Sequence, residues 1–218
     1  MAVDWEQLIE SDHAMTKIRP AVDLERYAHH AEDPWRWRTA FGTDVQDIVD
    51  MALVDFGRET DGVFQNNTVE YSRNVTVAIT NQFFNPLLEL LSVSRARESD
   101  TLLGYTWARR GEYAPWSTEE MVSIRMAHID QALSPRNRVK ILAQMMRMWE
   151  VWAHACGIKI IASTTIRHSQ DVFLDLHRAA GYSVRGSVAY KRLQNIKIDV
   201  EDTSDFRHNF IIPGGVGR

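Results

Sequence analysis

The sequence predicts an α/β chain of the mixed (α+β) kind: a central mixed sheet flanked by helices, with an arm at each end. Three observations carry this expectation. Strand-like alternation of large and polar residues recurs before and between segments of helical spacing. In the middle of the chain a polar turn joins two strand candidates, which makes them antiparallel neighbours. Further on, a long amphipathic stretch ends in glycine and leads into a short apolar run, the pattern of a crossover that returns a buried parallel strand.

Taken in order, residues 1–34 read as an N-terminal arm. Trp5, Leu8 and Ile9 share one face of a short helix, Val22, Leu24 and Tyr27 part of another, and Pro20 and Pro34 punctuate them. Trp35 to Ala40 alternates as a first strand. A helix follows to Phe56, with Thr43 as its expected cap and Asp44 and Asp47 in a first turn that favours negative charge. Its apolar stripe is Val45, Ile48, Val49, Ala52, Leu53 and Phe56, and Gly57 is the expected stop. A second helix spans about Val69 to Gln82 and breaks before Pro86. Leu87–Arg95 and Thr101–Arg109 form the expected hairpin around Glu98-Ser99-Asp100, and Met121–Ile129 is a third strand with Val122, Ile124, Met126 and His128 on one face. A long helix from Arg136 to Cys156 carries Ile141, Leu142, Met145, Met148, Trp149 and Trp152 at helical spacing, and Gly157 lies just past its end. Lys159–Thr164 is the buried parallel strand, Ser169–Ala180 a helix stopped by Gly181, and Ser187–Leu193 a last strand. The domain is thus 35–193, and 194–218 is a C-terminal arm.

Composition narrows the function. At 218 residues with 44% hydrophobic residues, the chain is long enough for a proper core. The net charge of −4 gives no general attraction for nucleic acid, and the cluster Arg136, Arg138 and Lys140 is short. Cys156, the only cysteine, excludes an intramolecular disulfide and a cysteine zinc cluster, and it reads as a structural thiol in a reducing compartment. No metal site is expected. No run approaches the ~20 apolar residues of a membrane span, and the first residues lack a signal-peptide pattern, so the expected place is the cytoplasm.

The order of elements, strongest from Met121 to Lys191, resembles the GNAT (Gcn5-related N-acetyltransferase) superfamily. The segments that carry the resemblance are the strand Met121–Ile129, the loop and helix start Ser134–Ala143, the helix to Gly157, the strand Ile160–Thr164, and Asp171 to Tyr182 with its Gly-aromatic end. The resemblance implies acetyl-CoA as cofactor. Its pyrophosphate would lie at a helix N-terminus, where unpaired N–H groups and the helix dipole hold anions. The family pattern, roughly Arg-x-x-Gly-x-Gly/Ala, places Arg138 at the arginine, Ile141 at the first glycine and Ala143 at the last. No glycine stands between Gly111 and Gly157, so the pattern is degenerate. Either Ile141 blocks the approach of the phosphates, or Arg136, Arg138 and Lys140 hold them by charge. Where many family members carry a tyrosine that protonates the departing thiolate, this chain has His177, which also titrates near neutrality. For the general base the residues offer His128 and Asp130, two apart on one face, with Glu119 and Glu120 as weaker candidates.

Two functions follow. One is acetyl-CoA-dependent N-acetylation of an amine, with His128 or Asp130 as base, His177 as acid, and a backbone N–H of the third strand on the oxyanion. The other is a catalytically inactive GNAT-like assembly protein, such as a bacteriophage virion component. It would self-associate or dock on protein partners through 1–34 and 194–218, using Trp5, Phe206, Phe210, Ile211 and Ile212.

Overall fold

The computed structural model describes residues 32–59, 64–165 and 170–185. The expected N-terminal arm up to residue 31, the last strand over 187–193 and the C-terminal arm lie outside the described residues. Among the described residues five strands form one sheet in the order of the chain: β1 (Trp35–Thr39), β2 (Glu89–Ala96), β3 (Leu102–Tyr113), β4 (Glu120–Ile129) and β5 (Ile160–Ser163). The first three pairings are antiparallel and β4–β5 is parallel, as the crossover pattern requires. Helices α1 (Val45–Glu59) and α2 (Thr68–Phe84) separate β1 from β2, α3 (Pro135–Ala155) joins β4 to β5, and α4 (Asp171–Ala179) follows β5.

The sheet has a core on each face. On one, Trp35, Trp37, Ala108, Val122 and Ile129 pack against Ile141, Met145, Trp149 and Trp152 of α3, with Phe173 and Leu176 of α4 beside them. On the other, Leu91, Val93 and Tyr105 meet Ile48 of α1 and Val75 and Ala78 of α2. A buried polar knot ties β1 to α3. Gln144 Oε1 accepts both indole N–H groups of Trp35 and Trp37 at 2.8 and 2.9 Å, its amide donates to Asp33 at 2.6 Å, and Lys140 also holds Asp33. Buried amides persist only when their partners are this complete.

Three expectations need correction. Thr43 does not cap α1. A 3₁₀ turn, Gly42–Asp44, precedes the helix, and the fully buried Asp44 accepts the Phe41 N–H at 2.8 Å. Arg38 and Arg95 grip Asp44 as well, at 2.5–3.0 Å. Burial pushes this carboxyl up, but the Arg38, Phe41 and Arg95 hydrogen bonds outweigh it and hold it below its usual range. Gly57 does not stop α1, which continues to Glu59. Nor do Val122, Ile124, Met126 and His128 share one face. Trp107 pairs with Met126 and Ala108 with Ile124, so Arg125 is an extra residue, a β-bulge. Before it, Val122 and Ile124 face α3; after it, Met126 and His128 face α1 and α2, and Ile129 takes the α3 side.

Candidate active site

The strand pair β4–β5 sets the site. Its parallel register runs only from Met121↔Ile160 to Ile124↔Ser163. Beyond Ile124, at the bulge, β4 continues to Ile129 with no strand partner on its outer edge among the described residues. A bulge raises local twist and ends pairing, so the two strands part there.

The N-terminus of α3 arrives at the same end of β4. Ser134 is the N-cap, its hydroxyl accepting the Asn137 N–H at 3.3 Å, and Pro135 takes the first helical position. Asp130 closes the preceding turn, its carboxylate accepting the Ala132 N–H at 2.9 Å and its own N–H donating to Leu103 O at 2.9 Å. The N–H groups of Gln131, Ser134 and Arg136 have no hydrogen-bond partner among the described residues. Arg138 reaches back to Gln131 Oε1 at 2.7 Å, and its Nε is buried without a partner among the described residues. Backbone donors, an unsatisfied guanidinium nitrogen and the positive end of a 21-residue helix therefore converge on one loop.

The residues named from the sequence separate into groups. Arg136 and Arg138 lie at this helix start. Lys140 is held by Asp33 on the β1 side. Ile141 is fully buried in the core against Gly104 of β3, and Ala143 is exposed two turns into the helix. Both lie inside the helix beyond its first turn, where backbone N–H groups are bonded within the helix, so neither presents one to a ligand. The loop donors sit nearer the strand, at Gln131, Ser134 and Arg136. His128 is buried, stacked on Tyr105 at 5.6 Å with the Phe56 ring edge-on at 6.1 Å. Asp130 is engaged in the loop turn. Glu120 is a bidentate partner of Arg110 at 2.7 Å.

His177 does reach the strand opening. Its Nδ1 lies 2.8 Å from Phe173 O, an atom that only accepts, so Nδ1 carries the proton. In the neutral ring Nε2 is then an acceptor, and Ser163 Oγ donates to it at 3.1 Å. Burial lowers the imidazole below its usual value, against the opposing Phe173 hydrogen bond, which keeps the ring neutral. Ser163 was not singled out in the sequence. It closes an apolar run, and only its place at the last β4–β5 pair marks it. Cys156 is half-buried, donates to Leu87 O at 3.6 Å, and burial pushes its thiol up to about 11, the behaviour of a structural thiol.

No family model matches the sequence, and no curated protein matches it. Solved structures do. An aminoglycoside 6'-N-acetyltransferase from Acinetobacter baumannii is 14% identical with a TM-score of 0.54, over 73% of this chain and 98% of that one. A predicted acetyltransferase with acetyl-CoA from Clostridium acetobutylicum is 14% identical with a TM-score of 0.52, over 72% and 96%. A transcriptional regulator from Bacillus halodurans is 16% identical with a TM-score of 0.55, over 73% and 99%. At these identities the likeness is one of fold, and it agrees with the mixed sheet, the parallel β4–β5 pair and the crossover helix. The chain has the fold of the GNAT acetyltransferases.

Proposed function

We propose that the chain is an acetyl-CoA-dependent N-acetyltransferase acting on an amine. The observation that carries this reading is a coincidence at one end of β4. The strands part at the Arg125 bulge, three loop and helix-start N–H groups are unpartnered among the described residues, and the Ser163–His177 pair stands at the opening. A solved structure of this fold that carries acetyl-CoA supports the choice of cofactor.

Acetyl-CoA supplies the activated acyl carbonyl and a pyrophosphate that needs an anion cradle. Gln131, Ser134 and Arg136 offer that cradle through backbone N–H, and Arg136 and Arg138 through charge. This set fits the group without glycine, because Ser134 and Pro135 already start the helix at the strand end. A backbone N–H on the outer edge of β4 beyond Arg125 would polarise the acyl carbonyl of bound acetyl-CoA. Ser163 and His177 would take the proton of the attacking amine, which would move to Ser163 Oγ as the hydroxyl proton passes to His177 Nε2; as the C–S bond breaks, the imidazolium would return a proton through Ser163 to the departing thiolate, while Nδ1–H stays on Phe173 O. A neutral, burial-lowered imidazole is free to accept that proton at pH 7. This role replaces the lone-acid role expected for His177, because its one proton is committed to a backbone carbonyl.

Calorimetric titration with acetyl-CoA and CoA tests the proposal. Micromolar binding, weakened at least tenfold by the Arg136→Ala/Arg138→Ala double variant, is expected. No binding at millimolar ligand overturns it.

A further inference from the structure

Helix α2 covers the sheet with one face and leaves the other nearly bare of charge. Charged residues make up 25% of the chain, yet among the 17 residues of α2 only Glu70 and Arg73 are charged, and they pair with each other at 2.5 Å. From Asn74 to Leu88 the sequence carries no charge at all. The inward face is Val75, Ala78 and Gln82, all buried. Opposite them, at ~3.6 residues a turn, Val69, Arg73, Thr76, Val77, Thr80 and Phe84 fall within an arc of about 100°, with Phe83 at its edge. Val69, Val77, Phe83 and Phe84 are 78, 50, 67 and 75% exposed, and the two rings meet edge to face at 5.3 Å. Thr76 and Thr80 donate their hydroxyls inside the helix, to Ser72 O and Thr76 O at 2.8 Å, so these side chains behave as small apolar ones. A surface helix ordinarily turns charge outward, and a helix apolar on both faces is one that is covered on both.

We propose that the outer face of α2 is covered by the same face of a second copy of the chain, the two helices running antiparallel about a two-fold axis. The pattern is self-complementary in that arrangement. With the axis between Thr76 and Val77, Val69 of one protomer comes opposite Phe84 of the other, Arg73 opposite Thr80, and Thr76 opposite Val77. The large ring thus meets a small side chain, and the small residues at the centre let the helices pack closely. Arg73, the one charge on this face, reaches the last turn of the other α2, which has no cation of its own and where the helix dipole favours one. Its pair with Glu70 is exposed on both sides and holds it only weakly. The area suffices. At ~200 Å² a ring, the two phenylalanines alone expose roughly 280 Å² on each protomer. Both copies together, with the valines, threonines and arginine, reach the ~1,000 Å² of the smaller specific interfaces. Because α2 lies on the other sheet face from α3 and α4, the pairing stands independently of the acetyltransferase reading.

Sedimentation velocity on the full chain, from about 1 to 200 μM, tests the proposal beside Val77→Glu, Val77→Lys and Trp116→Glu, all at exposed positions. The parent is expected to pass from one chain to two with a Kd of about 1–100 μM, as suits a small interface. Each Val77 substitution sets like charges against each other across the axis and is expected to weaken the dimer at least tenfold. Far-UV circular dichroism checks that both variants fold. An equimolar mixture of the two is expected to recover the dimer, since opposite charges then meet. Trp116→Glu, on the turn between β3 and β4, is expected to leave the dimer unchanged. A parent that stays a single chain at the highest concentration overturns the proposal, whatever else covers α2. So does a dimer that survives both Val77 substitutions, that is lost through Trp116→Glu, or that the mixture fails to recover.

Discussion

Ile141→Gly separates the two places where a phosphate cradle could sit on this chain. If the cradle followed the family spacing from Arg138, a glycine at 141 would open it. The structure instead buries Ile141 completely in the core, where its methyl faces the backbone of Gly104. Removing a buried isoleucine side chain to alanine size costs about 2–5 kcal/mol. Glycine in place of alanine inside a helix costs ~1 kcal/mol more. Together these reach about 3–6 kcal/mol, a large part of the 5–15 kcal/mol that holds a typical domain folded. Urea unfolding followed by tryptophan fluorescence reads the loss directly, since Trp149 and Trp152 lie in the same core. The expected result is a lower midpoint at unchanged slope, with no gain in CoA affinity by calorimetry. A variant within 1 kcal/mol of the parent that binds CoA more tightly would refute the reasoning and move the cradle to residues 138–143.

Four further outcomes are expected. Gln144→Leu strips two buried indole donors and the Asp33 carboxylate of their shared partner, so it destabilises by about 2–5 kcal/mol in urea unfolding. Gly104→Ala places a Cβ 2.9 Å from the His128 carbonyl oxygen and 3.3 Å from Met145 Cε; it costs about 1–3 kcal/mol, where an unobstructed strand would gain from losing a glycine. His177 has a folded value below the ~6.5 of a free imidazole, so its contribution is full above that pH and is lost as pH falls towards the folded value. His177→Gln therefore narrows the fall in urea midpoint between pH 7.5 and 5.5 (roughly the window of that titration), and Ser163→Ala lowers kcat about 10²-fold with KM for acetyl-CoA unchanged.

The elements were largely legible because each carries its own period. Ile141, Met145 and Trp149 recur on one face of α3, and Val and Leu crowd β2. What stayed hidden were features with no period. Arg125 is an ordinary residue in an ordinary strand, and nothing local marks it as a bulge. Strict alternation through it therefore put Met126 and His128 on the wrong face. Asp44 looked like a first-turn acid placed for the helix dipole. Its real partners, Arg38 and Arg95, come from β1 and from a strand 51 residues on. Ser134-Pro135 was a readable helix start, a cap followed by proline, but the family spacing drew attention to Arg138 and to glycines that are not there. Ser163 is a partner of His177 across 14 residues, a relation only the folded chain reveals.

These misses share one cause, and it bears on function. In a parallel strand pair, ligands collect at the carboxyl ends of the strands, because helices leave there with their unpaired N–H groups foremost. Here β4 has ten residues and β5 four, so β5 can follow β4 only as far as Ile124. The bulge then turns β4 away just as its chain passes through residues 130–134 into α3. The opening, the helix start and the Ser163–His177 pair are brought together by strand length and the bulge, not by glycine. Glycine in such a loop lets backbone come close to a phosphate. Where the strand end already delivers Gln131, Ser134 and Arg136 with their N–H groups unpartnered among the described residues, the proposed cradle would rest on donors that any residue type but proline supplies. The missing glycines therefore weigh less against cofactor binding than the sequence pattern by itself suggests.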